Sequence, residues 1–199
     1  MRSDIRTWLL PGAAMVAAAA LYIPKGIVPQ AASRFRLEPV TADRTDDYLA
    51  TAPVTASVYA ELPMPPMEVF DALLDESCFS WLPGVSGFRY DSSHRGLGAT
   101  RVLLNPLMAV REQFTAYREG ERLDYTFIGM SIPALVSAVE SYELQPVAQG
   151  STLLTVRVAM TPRIPVPRMI ARPLHRSFTV QAVRGLGGAK VAGGEARTC

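Results

Sequence analysis

The sequence predicts an α+β domain: a curved antiparallel sheet of about seven strands with a long C-terminal helix lying in its concave face. Three observations predict it. Six short, mostly alternating segments separated by turn signals fill residues 87–160. A helical pattern opened by prolines precedes that run, and a longer one follows it. A meander of that many strands must curl, because strands twist. The 139 residues from 54 to 192 should bury ~68% of their unfolded surface, enough for one core.

The first strand is "VTASVYAEL", residues 54–62, which alternates apolar and polar positions. In "MPPMEVFDALLDE" Val69, Phe70, Leu73 and Leu74 recur at helical spacing behind two prolines, with Glu68 in the first turn. "FSWLPGV" reads as a short helical or irregular piece, and "GFRYD" as a short second strand. "LGATRVLL" and "LMAVREQFTAY", the third and fourth strands, flank the turn dipeptide Asn105-Pro106. "ERLDYTFI" follows the turn at Arg118-Glu119-Gly120, and "QPVAQGS" separates "LVSAVESYEL" from "TLLTVRVAM". "VPRMIARPLHRSFTVQAVRGL" reads as the final helix, where Pro173 should kink it or delay its start. The Gly-rich "GGAKVAGGEARTC" reads as a fraying tail, flexible at 193–199.

Upstream, residues 7–24 form an uncharged stretch of 18, long enough as a helix to span ~27 Å, near the ~30 Å hydrocarbon core. Segment 1–28 is thus open to three readings: a membrane anchor, a buried or loose helix, or a signal cleaved near Ala18-Ala19-Ala20. Lys25, Arg34 and Arg36 follow the segment closely, which favours membrane association with a cytoplasmic domain. Signal cleavage would instead give a secreted domain. Residues 29–53 have mixed charge and no apolar period, and read as a linker.

Bulk composition narrows the function. The chain of 199 residues is 49% hydrophobic and 19% charged, and its net charge of +2 gives no footprint for nucleic acid. Cys78 and Cys199 make no disulfide framework or zinc spacing, and no His/Cys cluster implies a metal. Gly96-Leu97-Gly98 resembles part of a phosphate loop, yet "ATRVLL" after it is strand, so no helix N-terminus is there to hold a pyrophosphate. His94 sits in a polar loop and His175 among arginines, and no G-x-S-x-G elbow occurs. No cofactor is implied. From Arg163 onward seven Lys/Arg face one acid, Glu195, which suits a solvated helix face or attraction to an anionic membrane surface.

Strand parity nominates the inward residues. Met108, Val110, Phe114 and Ala116 share a face with Glu112; Leu123, Tyr125 and Phe127 share another; Val136, Ala138 and Leu144 share one with Glu140 and Tyr142. A carboxylate on an apolar face must be paired, protonated or wetted. Alternatively, a bulge turns each Glu toward solvent or a structural salt bridge. Arg101 is a partner for Glu112 if it points inward, and its parity is ambiguous.

Six landmarks in order then resemble the START-like superfamily, also called SRPBCC or Bet v 1-like, across roughly residues 54–190. They are "ELPMPPMEVFDALLD", "WLPGV", Gly96-x-Gly98 before a strand, Glu112, "RLDY", and Gly150-Ser151-Thr152 before the last strand. The resemblance implies a helix-grip fold and a cavity between sheet and C-terminal helix, with Trp81 beside its mouth. It implies a binder or carrier of a hydrophobic small molecule such as a lipid, isoprenoid or polyketide-like compound. Trp81, Arg101, Glu112, Phe114, Tyr125, Phe127, Glu140 and Tyr142 are the expected ligand-binding residues. A polyketide cyclase/dehydrase-type enzyme using pocket Glu, Tyr and Arg groups is the alternative, and a tethered interaction protein with a vestigial cavity is a third class. A wide, dry cavity favours the carrier, a close inward Glu112–Arg or Glu112–Tyr set the enzyme, and a filled cavity the third.

Overall fold

The computed structural model describes residues 29–192 except 106–107, 148–149 and 187–189. The anchor-or-signal segment 1–28 and the 193–199 tail lie outside the described residues. Among those described, no helix is long and apolar enough to cross a membrane.

Nine strands form one antiparallel sheet: β1 (Phe35–Arg36), β2 (Val54–Leu62), β3 (Gly87–Tyr90), β4 (Thr100–Leu104), β5 (Ala109–Arg118), β6 (Arg122–Met130), β7 (Leu135–Pro146), β8 (Thr152–Pro162) and β9 (Lys190–Ala192). The spatial order is β3-β4-β5-β6-β7-β8-β2-β9, with β1 paired to β6. The seven expected strands are all present, and β1 and β9 are additions. Among the described residues three α-helices accompany them: α1 (Thr45–Thr51), α2 (Pro66–Leu74) and α3 (Arg168–Arg184). α2 starts on its prolines and buries Val69, Phe70, Leu73 and Leu74, as the spacing predicted. α3 starts at Arg168 and keeps Pro173 inside it, so the proline does not delay the start of the helix.

The 29–53 stretch departs from a linker. A 3₁₀ turn at Pro29–Ser33 leads into β1, whose Phe35 and Arg36 pair with Met130 and Gly129. The chain then wedges between the ends of β6 and β7, where the Leu37 amide donates to Ile128 O and the Glu38 amide to Val136 O. Gly129 permits this approach, since a Cβ there would lie 2.3 Å from Ala32 O. α1 covers the convex side: Leu49 and Ala52 pack with Val40 on Val139 and Ala159. The Tyr48 hydroxyl meets Ser137 O, Ser137 Oγ and Thr161 Oγ1 at 2.7–3.1 Å. Asp46 completes the seam with ion pairs to Arg122 at 3.1 Å and Arg157 at 2.9 Å. Apolar residues spaced too widely for a helical or strand period still bury a second layer here, which is why patterning alone suggested a linker.

The main core lies on the concave side, where β5, β6, β7 and β8 contribute Val110, Phe114, Leu123, Tyr125, Phe127, Ala138, Tyr142, Leu144, Leu154, Val156 and Val158. Parity predicted these faces. α3 reaches this core through Ala182 and Val183, followed by Leu186. Earlier on α3, Met169 is 81% exposed and Phe178 51% exposed, so the helix is seated by its last turns.

Candidate functional site

Between the concave face and α3 lies a cavity of about 30 Å³, lined by Phe79, Leu82, Val85, Leu103, Glu112, Tyr125, Glu140, Tyr142, Val158, Phe178, Thr179 and Ala182. That is water-sized, not lipid-sized. The cavity that the resemblance implied is present between these layers but is narrow, which is the outcome set against a wide carrier pocket.

Its polar end is built by three neighbouring strands. Glu140 on β7 lies opposite Tyr125 on β6. Both Tyr125 and Tyr142 donate to Glu140 Oε2, at 2.6 and 2.8 Å, and the two hydroxyls are 2.9 Å apart. Burial pushes both phenols well above the usual tyrosine range, with the Glu140 charge next in order, so both keep their protons.

Glu112 on β5 faces the same cavity despite register shifts on either side of it, between Arg111 and Glu112 and between Phe114 and Ala116. Arg101 on β4 is its cross-strand partner. Arg101 Nε donates to Glu112 Oε2 at 2.8 Å, and Nη1 donates to Leu73 O at 2.8 Å. The guanidinium sits 3.7 Å from the Phe88 ring centroid, 4.9 Å from Tyr125 and 5.1 Å from Phe114. Burial pushes the Glu112 carboxyl up to about 7; Arg101 pulls it down, and Glu140 adds to the rise. Burial works most strongly against the Arg101 charge, but the Glu112 carboxylate together with Tyr125, Tyr90 and Cys78 outweighs it and holds the guanidinium protonated. The inward Glu112 and the structural salt bridge, alternatives at the sequence level, are therefore both present.

Phe114 and Phe127 do not line the cavity. Phe127 stacks on Tyr125 at 6.4 Å and Phe114 meets it edge-on at 6.1 Å, so they brace the phenol from behind. Trp81 is also outside the cavity. Its Nε1 donates to Ala182 O at 3.1 Å, and it lines a separate open groove of about 400 Å³ with Met64, Asp71, Asp75, Cys78 and Gly185. Gly185 is needed there, because a Cβ would lie 1.9 Å from the indole. Cys78 is buried, which pushes its thiol up to about 12.

Sequence reasoning missed the wall opposite the strands. Phe79, Leu82 and Val85 come from the irregular piece, and Phe178, Thr179 and Ala182 from α3. Phe79 sits at φ 66, a left-handed conformation costly for a side chain of this size. Its buried ring packs on Trp81 and Phe88, both at 5.7 Å. No periodicity announces such a residue.

A family model described as "Polyketide cyclase / dehydrase and lipid transport" matches residues 52–190. No curated protein matches the chain. Among solved structures, the protein XoxI from Bacillus cereus superposes with a TM-score of 0.55 at 16% identity, covering 67% of this chain and 93% of its own. A START superfamily protein from Mycobacterium smegmatis gives 0.53 at 15% identity, covering 67% and 94%. Ara h 8.0201 gives 0.53 at 19%, covering 66% and 95%. These likenesses are of fold.

Proposed function

The chain belongs to the polyketide cyclase/dehydrase and lipid transport family, and from that premise we propose that it binds a hydrophobic small molecule between the concave face of its sheet and α3. One observation carries the reading: a carboxylate with two phenolic donors ends an enclosed space whose other walls are mainly apolar. That space has room for about one water. A ligand therefore enters by displacing Phe178 and tilting the early turns of α3, whose described side chains are largely exposed. Native mass spectrometry of the purified chain, followed by organic extraction and a Nile red titration, tests this. A co-purifying apolar compound or saturable Nile red binding supports it. A chain that carries nothing and leaves Nile red dark is an interaction protein with a vestigial cavity.

A second reading, catalysis of the cyclase/dehydrase type, is favoured by Glu112. A carboxyl raised to about 7 beside a cavity is poised to move a proton at neutral pH. Substrate turnover lost in Glu112→Gln with ligand binding retained would select it. Arg163, Arg176 and Arg184, exposed on and before α3, extend the binding reading to anionic headgroups. Pelleting with phosphatidylserine vesicles that weakens with salt supports that extension, and absent or salt-insensitive pelleting leaves a solvated face.

A further inference from the structure

We propose that the molecule held in this cavity carries a hydrogen-bond donor, a hydroxyl or an amine, as its polar head, and that a carboxylate-headed molecule is rejected. The inference rests on the binding reading above and narrows the ligand class.

It follows from counting protons. Each phenol has one. Tyr142 spends its proton on Glu140 Oε2, and Tyr125 spends its own on the same oxygen or on the Tyr142 hydroxyl. Neither phenol keeps a proton for a ligand. Thr179, across the cavity, has an interaction of its own. The acceptors are in the opposite condition. The hydrogen bonds that Glu112 and Glu140 accept from Arg101, Tyr125 and Tyr142 all fall on Oε2, which leaves Oε1 of each carboxylate free of those three donors. Both side chains line the cavity.

Charge points the same way. No Lys or Arg is among the described residues lining the cavity. Arg101, behind the wall, is committed to Glu112 and to Leu73 O. Glu140 is left without an ion pair among the described residues. An incoming carboxylate would meet two acceptors and an unbalanced negative charge in a space with little water, where repulsion is poorly screened. An alcohol or amine would donate to an oxygen that those three donors leave free. A site that leaves a buried acceptor unpaired discriminates strongly for the molecule that fills it.

The test compares three amphiphiles of one chain length, 1-dodecanol, dodecylamine and laurate, as competitors of Nile red on the full chain at pH 8. The alcohol and the amine should compete at least about tenfold better than laurate. The amine–alcohol ratio then separates the charge contribution from the hydrogen bond. Glu140→Gln, which replaces an acceptor with an N–H donor, should bring laurate to within about threefold of dodecanol. Glu112→Gln, which alters the second carboxylate, should likewise narrow the gap between laurate and dodecanol. It also serves if Glu140→Gln fails to fold by circular dichroism. Laurate competing as well as dodecanol while Nile red binds would overturn the inference and leave the binding reading standing. No Nile red binding at all would overturn both.

Discussion

Arg101 and Glu112 face each other across β4 and β5 with Nε and Oε2 2.8 Å apart and both side chains almost wholly buried. Removing either partner alone leaves an uncompensated charge in the core. Arg101→Met and Glu112→Gln should each lower unfolding free energy by about 3–5 kcal/mol. The double variant should lose less than the two single losses combined. Urea denaturation of all four proteins measures the coupling, and strict additivity would show that the pair does not act as one unit.

The same pair should leave a mark on the pH profile. The Glu112 carboxyl is pushed from an ordinary 4.5 to about 7 in the folded chain. As pH rises, the unfolded chain releases this proton first. The Glu112 contribution is then fully present below about 4.5 and is lost as pH climbs through about 7. Urea midpoints taken between pH 4 and 8 should show this decline, and the decline should be smaller in Glu112→Gln.

Gly185 and Trp81 form a contact that admits no Cβ. Gly185→Ala should force the indole outward, break its bond to Ala182 O, and cost about 1–3 kcal/mol. In a Trp8→Phe background the emission of Trp81 should shift to the red. An unshifted spectrum with unchanged stability would mean that the helix end moves instead.

Residues 29–53 should prove integral to the domain. Deleting them strips the cover from Val139 and Ala159 and removes the three contacts of the Tyr48 hydroxyl. A chain starting near Val54 should melt at lower temperature and self-associate in light scattering. Tyr48→Phe alone should cost about 1–2 kcal/mol.

Legibility divided along physical lines. β2 was readable to its ends because one face is buried and the other exposed, so the chain alternates. Parity likewise brought Glu112, Tyr125, Glu140 and Tyr142 to one cavity. Arg101 stayed ambiguous because its short strand carries buried residues on adjacent positions. β6 hides Leu123 through Phe127 without a break, since the chain at Val40 covers its second face and donates its amide to Thr126 Oγ1, so periodicity there could not report that cover. The missed wall comes from an irregular segment held by Phe79 at φ 66 and from the α3 face, where contacts distant in sequence decide the geometry. The narrowness of the cavity was invisible for a related reason: volume depends on rotamers and helix seating, and the order of apolar residues encodes neither.

β2 is made early, yet in the sheet it lies beside β8, with Leu62 matched to Thr152, about ninety residues later in the chain. During synthesis its longest ladder cannot form until nearly the whole protein has left the ribosome. Most of the meander, by contrast, zips up between immediate neighbours. Closure is thus a late, high-contact-order step. A nascent chain arrested before Thr152 keeps an unpaired and aggregation-prone strand in search of a partner.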